Sequence, residues 1–190
     1  MAPAPTAFFD ANVFYGARLR SLVLFLARAG LFRARWSAQV HDEWMRNLLR
    51  NRPDLRPSDL ERTRRAMDAA VLDALVTGHE RLVAAMDLPD PDDRHVLAAA
   101  VVCRADVIVT FDLRDFPADP LAAFGLSAVH PDDFLSDLER ARPEAFAAAL
   151  RRDVLHYRAP VLRLDEYAAS LRRAGVPRVA DRVLDPTRLP

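Results

Sequence analysis

Short apolar segments alternate along this chain with longer segments of helical periodicity, and this alternation constrains the possible fold most strongly. The candidate strands are residues 6–9, 31–36, 107–110 and 127–129. The candidate helices are residues 13–29, 37–51, 58–76, 90–104 and 131–140. Strands that alternate with helices indicate a doubly wound parallel sheet, so the predicted fold class is α/β.

Local signals place several helix boundaries. Ser37 is a good N-cap for a helix that ends before Pro53, and Asn12 is a candidate cap for the first helix. Asp90 followed by Pro91 has the form of a capped helix start with proline in the first turn. Residues 79–86 fit either a helix or a loop.

The composition predicts a single core with an appendage. A chain of 190 residues with 51% hydrophobic content can bury one sizeable core. We expect a domain over 1–140 and a helical C-terminal extension over 141–190, which has no recognised chemistry. The single cysteine, Cys103, cannot form an internal disulfide, and no segment has the length and apolarity of a membrane span. The sequence therefore predicts a soluble cytoplasmic protein with no membrane partner.

The net charge of zero hides an uneven distribution of charge. Residues 11–65 carry 12 arginines against 5 acids, whereas residues 86–140 carry 12 acids against 4 arginines. One interpretation is that the basic part meets phosphates while the acidic part holds metal, an arrangement suited to a nuclease. The alternative is that the two parts neutralise each other within the fold, and the sequence leaves both open.

Four acids recur where strands, or the helices that follow them, would deliver side chains to one rim of the sheet. They are Asp10, Glu43, Asp93 and Asp115. In α/β folds the carboxyl rim of the sheet is the usual ligand position. Carboxylates that cluster without basic partners repel one another unless a cation lies between them. The pattern predicts a divalent-metal site, suited to Mg²⁺, that promotes phosphodiester hydrolysis.

The acids are expected to play different parts. Asp10 and Asp93 are the candidates for direct coordination, and Asp115 is a further ligand or acts through a bound water. Glu43 would hold a water or a more weakly bound second ion. Each acid also has an ordinary explanation, since Asp93 lies in the first turn of a helix and Glu43 is typical of an exposed helical face.

Neighbouring polar residues are candidates for orienting the site or binding substrate. Asn12 would orient Asp10 or touch substrate, and Thr110 with Asp112 lies at the end of a strand. Arg46 and Arg50 follow Glu43 at helical spacing and are the candidates for binding the phosphates of a substrate.

The ordered set of motifs resembles the PIN-domain family, and in particular the VapC-type toxins of toxin-antitoxin pairs. The resemblance covers about residues 6–135. It is carried by the opening segment 8–13, by Glu43, and by the segments 88–100 and 105–117. It implies a three-layer α/β/α fold with a central parallel sheet and a Mg²⁺- or Mn²⁺-dependent endoribonuclease. It also implies a homodimer that a cognate antitoxin protein inhibits.

The resemblance assigns the family's four acids, in order, to Asp10, Glu43, Asp93 and Asp115. Position 112 is Asp where many relatives carry Asn, so Asp112 competes with Asp115 as the closer metal ligand. PIN domains also serve in RNA processing, which makes a nuclease without an antitoxin the first alternative.

Two further classes of protein share part of this pattern. A haloacid-dehalogenase-like phosphatase or a receiver-type phosphoacceptor also places an Asp after the first strand. Such sites use a lysine near the phosphate, and this chain has no lysine. The phosphatase pattern expects a second acid two residues after the first, where this chain has Asn12. The last possibility is a binding module that has lost catalysis.

Overall fold

The structure is a computed structural model that describes residues 4–157 and 163–185. Residues 158–162 and 186–190 of the predicted C-terminal extension lie outside the described residues. In the part described, no helix is long and apolar enough to cross a membrane.

The chain divides into two compact units. The first consists of Met1–Tyr15 and Phe32–His130, and the second of Gly16–Leu31 and Pro131–Pro190. The predicted domain boundary between residues 140 and 141 stays a prediction. The compact units are divided differently, because the second unit also includes residues 16–31 and begins its C-terminal part at residue 131.

A parallel sheet with the strand order β3-β2-β1-β4-β5 forms the centre of the first unit. The strands are β1 Thr6–Phe9, β2 Arg33–Ser37, β3 Leu75–Val76, β4 Val107–Val109 and β5 Ser127–Val129. Because all four pairings are parallel, the carboxyl ends of the strands lie at one edge. The predicted α/β fold class with a central parallel sheet is confirmed.

Helices and 3₁₀ turns connect the strands and continue to the C-terminus. The helices are α1 Ala17–Arg28, α2 Ala38–Asn51, α3 Pro57–Ala70, α4 Arg94–Val102, α5 Ala118–Ala122, α6 Pro131–Ala141, α7 Pro143–His156, α8 Leu164–Arg173 and α9 Pro177–Val183. The 3₁₀ turns are Ala11–Phe14, Glu80–Ala85 and Pro91–Asp93.

The central strand β1 is fully buried and organises an aromatic core. The ring centroid of Phe9 lies 5.7 Å from that of Phe14 and 5.5 Å from that of Phe32, and Phe14 meets Trp36 edge-on at 5.5 Å. Burying each such ring contributes about 2 to 3 kcal/mol to folding, so the strand that precedes Asp10 is strongly held.

Helix α2 begins and packs as its sequence predicts. The Ser37 side chain accepts a hydrogen bond from the backbone N–H of Val40 at 3.3 Å, which confirms the predicted N-cap. Val40, Trp44 and Leu48, spaced by four residues, form its buried stripe. The helix packs against β2 and against the 3₁₀ turn that follows Asp10.

A buried polar network joins α2 to β2 and α3. The indole N–H groups of Trp36 and Trp44 donate to Asp68 Oδ1 at 2.8 Å and to His41 Nδ1 at 3.0 Å, respectively. Because His41 Nδ1 accepts, its Nε2–H is the donor to Asp68 at 3.0 Å. Burial lowers the pKa of His41, which keeps the neutral ring in this network. The network holds the helix that carries Glu43.

Several predicted elements are shorter than expected. The first helix begins at residue 17 because Asp10, not Asn12, caps a separate 3₁₀ turn, Ala11–Phe14. Helix α3 ends at Ala70, and the residues predicted as its last turn form the edge strand β3 instead. Helices α5 and α9 have no counterpart in the sequence prediction.

The second unit is built from helices around a buried acid on α7. Asp153 accepts hydrogen bonds from the hydroxyls of Ser21 and Tyr167, both at 2.5 Å, and is fully buried. Burial raises the pKa of this carboxyl. The three side chains join α1, α7 and α8 within this unit.

Candidate functional site

Asp10 lies at the carboxyl end of β1 and is almost completely buried, with 5% of its surface exposed. Its Oδ1 accepts a hydrogen bond from the backbone N–H of Ala11 at 2.6 Å, and its Oδ2 accepts one from the Thr110 hydroxyl at 2.7 Å. These bonds fix the carboxylate plane but leave a lone pair on each oxygen. Burial outweighs them and raises the pKa of Asp10 to about 6.

Thr110 joins the ends of β1 and β4. While its hydroxyl donates to Asp10, its oxygen accepts from Asn12 Nδ2 at 3.0 Å and from the backbone N–H of Asp112 at 3.1 Å. Asn12 Oδ1 in turn accepts from the backbone N–H of Phe111 at 3.2 Å. The predicted role of Asn12 and Thr110 in substrate binding stays a prediction; their visible contacts orient Asp10 and the loop after β4.

Asp93 ends the 3₁₀ turn that leads into α4. Asp90 caps this turn by accepting from the backbone N–H of Asp92 at 2.8 Å, as its sequence predicts. Helix α4 packs against β1, β2 and β4, which places the half-buried Asp93 near the ends of the central strands.

The charges around Asp93 show that the predicted acids are neighbours. The pKa of Asp93 is raised to about 7, mainly by burial and then by the negative charges of other acids. Those acids are Asp10, Asp90, Asp115 and Glu43. The charge of Glu43 also raises the pKa of Asp10. All four predicted site acids are therefore coupled electrostatically, although they come from four separate segments.

Asp112 and Asp115 differ in their surroundings. Asp112 is exposed, and its Oδ2 lies 3.4 Å from Asn12 Nδ2. Asp115 is half-buried, and its backbone N–H donates to the carbonyl of Asp112 at 3.1 Å. Of these two acids, only Asp115 is among the charges that raise the pKa of Asp93. This favours Asp115 as the nearer partner of Asp93, while the metal-ligand assignment of both stays a prediction.

Sequence reasoning missed the pairing of Glu43 with His95. Glu43 Oε1 lies 2.7 Å from His95 Nε2, across α2 and α4. The His95 ring is buried, with 4% of its surface exposed. A signal was present, because Ala98 and Ala99 follow His95 at the spacing of one helical face, and both are apolar.

The acids are neighbours without forming a closed cage. Among the described residues, no three His, Cys, Asp or Glu side chains converge closely enough to hold one ion between them. Charges influence one another's pKa over longer distances than those of direct metal coordination. The acids can therefore affect the pKa of Asp93 without forming a cage around one ion. A hard cation that keeps several of its waters needs only one or two carboxylates as direct ligands. The oxygen donors and the raised pKa values of Asp10 and Asp93 fit such an ion.

Arg46 and Arg50 lie on α2 one and two turns after Glu43. Both side chains are exposed, and neither forms an ion pair with any residue the structure describes. Two positive charges on the face that presents Glu43 suit an anionic ligand that reaches the acids.

Comparisons with known proteins match both parts of the chain. A PIN domain family model matches residues 6–114, and a model of the VapC50 C-terminal domain matches residues 131–185. A Mycobacterium tuberculosis protein provisionally named ribonuclease VapC50 is 48% identical over 77 residues. That match covers 40% of this chain and 45% of the relative, so the chain spans less than half the length of the curated protein. No solved structure matches significantly.

These matches agree with the geometry. The PIN model extends from β1 through the loop after β4 and so contains Asp10, Glu43, Asp93 and Asp112. The C-terminal model begins at α6 and covers the helices for which the sequence suggested no chemistry. The predicted resemblance is confirmed, and the chain belongs to the PIN domain family.

Proposed function

We propose that this chain is a Mg²⁺- or Mn²⁺-dependent endoribonuclease that hydrolyses RNA phosphodiesters, and that it is the toxin of a toxin-antitoxin pair. The observation that carries the proposal is the raised pKa of Asp93, about 7, which results first from burial and then from the negative charges of neighbouring acids that include Asp10, Asp115 and Glu43. Neighbouring carboxylates that are buried or half-buried, and that form no ion pair with an arginine among the described residues, favour a divalent cation. The PIN match and the name of the mycobacterial relative support RNA cleavage.

In this proposal Asp10 and Asp93 are the direct ligands, Asp115 or Asp112 acts through a bound water, and Glu43 holds another bound water. When bound, the cation supplies a water of lowered pKa and neutralises charge on the phosphate. Thr110 fixes the carboxylate of Asp10 through its 2.7 Å hydrogen bond, so the ligand is ordered before the cation arrives.

The substrate side of the proposal rests on the exposed arginines of α2. Arg46 and Arg50 would hold the phosphate backbone without reading bases, which fixes the strand over the acids. A cognate antitoxin would block the site most simply by sending an arginine or lysine to Asp10 and Asp93. Homodimerisation stays a prediction that sedimentation analysis would test.

Expression in a bacterial host tests the toxin proposal. We expect the chain alone to arrest growth, the Asp10→Asn variant to be harmless at equal protein level, and the neighbouring reading frame to relieve the arrest. Harmless expression of a soluble protein that cleaves RNA would contradict the toxin role and favour an RNA-processing nuclease. A soluble protein that neither arrests growth nor cleaves RNA would contradict nuclease function itself.

Replacing Arg46 and Arg50 together by Gln is expected to weaken RNA binding about tenfold at moderate salt. The salt dependence should also become shallower, since each lost phosphate contact removes roughly 0.7 from the slope of log K against log salt for single strands. Fluorescence anisotropy with a labelled RNA at several salt concentrations measures both quantities.

The matched control replaces Arg52 and Arg56 by Gln. These arginines are also exposed, but each is paired with a nearby acid, Asp54 at 2.7 Å and Asp59 at 2.9 Å. We expect this variant to bind RNA within about twofold of the wild type, since a paired charge releases few counterions. Equal losses in both double variants would show that α2 does not carry the RNA contact.

A further inference from the structure

The proposed mechanism gives no role to the short contact between Glu43 and His95. It joins α2 and α4 at 2.7 Å, and the His95 ring is buried while 24% of the Glu43 side chain remains exposed. His95 is therefore the buried partner of the pair, and Glu43 is the partner that reaches solvent beside the other acids.

The surroundings of the ring determine which nitrogen carries the proton. His95 Nδ1 is buried and has no hydrogen-bond partner among the described residues. A proton on Nδ1 would be buried without an acceptor, and Nε2 would then turn a lone pair toward the Glu43 carboxylate. The arrangement that satisfies the contact has the proton on Nε2, so Nε2–H donates to Glu43 Oε1.

We propose that His95 is a positioning residue for Glu43. By holding Oε1, it fixes the carboxylate and leaves Oε2 for the divalent cation or its bound water. The inference rests on the proposed function, because it gives a role to an acid of the proposed cation site. Hydrogen bonds to a ligand side chain commonly change metal affinity about 10- to 100-fold.

A purely structural role explains the contact less well. A residue that serves only packing does not need a hydrogen-bond donor directed at a carboxylate of the site, and its unpaired buried nitrogen destabilises the folded state. Leucine would fill a comparable volume without that nitrogen. Leucine cannot supply the hydrogen-bond donor to Glu43.

His79 provides a matched control within the same unit. It is also buried, at 2% exposed, and its Nδ1 also lacks a hydrogen-bond partner among the described residues. Its Nε2 lies 3.0 Å from Oε1 of Gln39, which precedes Glu43 by one turn of α2. The two histidines differ in the partner of Nε2, a neutral amide for His79 and a carboxylate of the site for His95, and His79 Nδ1 also lies 3.8 Å from Oε1 of the exposed Glu80.

The experiment measures Mn²⁺ affinity by titration calorimetry in the full chain. The variants are His95→Leu, His95→Gln, Glu43→Gln, the double variant Glu43→Gln/His95→Leu, and His79→Leu. We expect His95→Leu to weaken Mn²⁺ binding about 10- to 100-fold and His95→Gln, whose amide can still donate, to retain affinity within about threefold. His79→Leu should bind like the wild type.

The double variant decides whether His95 acts through Glu43. If it does, removing both groups weakens binding no more than Glu43→Gln alone. Unfolding in urea with EDTA provides the second readout, and we expect His95→Leu to be at least as stable as the wild type. A strongly destabilised His95→Leu whose remaining folded protein binds Mn²⁺ normally would overturn the inference in favour of a structural role.

Other outcomes separate this inference from the proposed function. Wild-type protein that binds Mn²⁺ with the expected variant pattern but does not cleave RNA leaves the inference standing and contradicts the ribonuclease proposal. Additive losses in the double variant, or wild-type affinity in His95→Leu, overturn the inference while RNA cleavage stands. Absence of Mn²⁺ binding in the wild type overturns the inference directly.

Discussion

Replacing Asp10 by Asn is expected to lower the rate of RNA cleavage roughly a hundredfold to a thousandfold, as the loss of one preorganised electrostatic group at an active site typically does. Asn keeps the size of the side chain but removes the charge that favours a cation. The fold should persist, because β1 and its aromatic contacts are unchanged and an amide oxygen can still accept one of the two hydrogen bonds. Single-turnover cleavage of a labelled RNA gives the rate.

A neighbouring pair of acids supplies the control for this series. Asp93→Asn should reduce cleavage as strongly as Asp10→Asn, whereas Asp92→Asn should retain activity within about twofold. Asp92 is exposed, and its charge is not among those that raise the pKa of Asp93. Full activity in a folded Asp10→Asn protein would contradict a role of the carboxylate cluster in cleavage. Equal losses of activity in Asp92→Asn and Asp93→Asn would contradict it as well.

The second large effect is on stability without metal. In EDTA at pH 8 we expect Asp10→Asn to be about 2 kcal/mol more stable than the wild type. Burial raises the pKa of Asp10 from 3.8 to about 6, so the ionised form destabilises the folded state by about 3 kcal/mol. The lost hydrogen bond to Thr110 or Ala11 offsets about 1 kcal/mol of the gain.

The raised pKa of Asp10 also determines how the stability of the folded protein changes with pH. Asp10, and Asp93 with its pKa raised to about 7, bind protons more tightly in the folded state than in the unfolded state. The metal-free wild type therefore loses stability as pH rises from about 4 to 7. His41, with its lowered pKa, acts in the opposite direction. The His41 contribution is the same in the wild type and in Asp10→Asn, so it cancels when their free energies of unfolding are subtracted.

Urea unfolding in EDTA at pH 4.5 and pH 8 measures this difference. The advantage of Asp10→Asn should vanish or reverse at pH 4.5, where the wild-type carboxyl is protonated. Adding Mn²⁺ at pH 8 should stabilise the wild type and leave the variant nearly unchanged, because a ligand stabilises only the state that binds it. A difference between the two proteins that is the same at both pH values would contradict the burial argument.

The parts of the fold that the sequence predicts are those with local signals. Ser37 as N-cap, the stripe through Trp44, and the start of the turn at Asp90 each depend on a few neighbouring residues. Asp10 could be placed because a short apolar strand precedes it directly. Asp93 could be placed because the turn that Asp90 caps leads into a helix, and in an α/β fold such a helix packs against the sheet.

What the sequence did not predict depends on distant contacts. Strand β3 has only two residues and exists because Leu75 and Val76 pair with β2. The partners Glu43 and His95 are 52 positions apart, so nothing local connects them. The grouping of Gly16–Leu31 with the C-terminal helices likewise depends on contacts such as the one between Ser21 and Asp153. In each case tertiary packing decides between local alternatives.

The most direct test of the central claim is a divalent-cation titration of RNA cleavage by the purified wild-type chain. The coupled acids should require a cation, so we predict no cleavage in EDTA and a rate that rises to saturation as Mg²⁺ or Mn²⁺ is added. The midpoint should agree with the cation affinity measured without RNA. Cleavage that proceeds as fast in EDTA as in Mg²⁺, with contaminating ribonuclease excluded by an identically purified Asp10→Asn protein, would contradict a cation site built on Asp10 and Asp93.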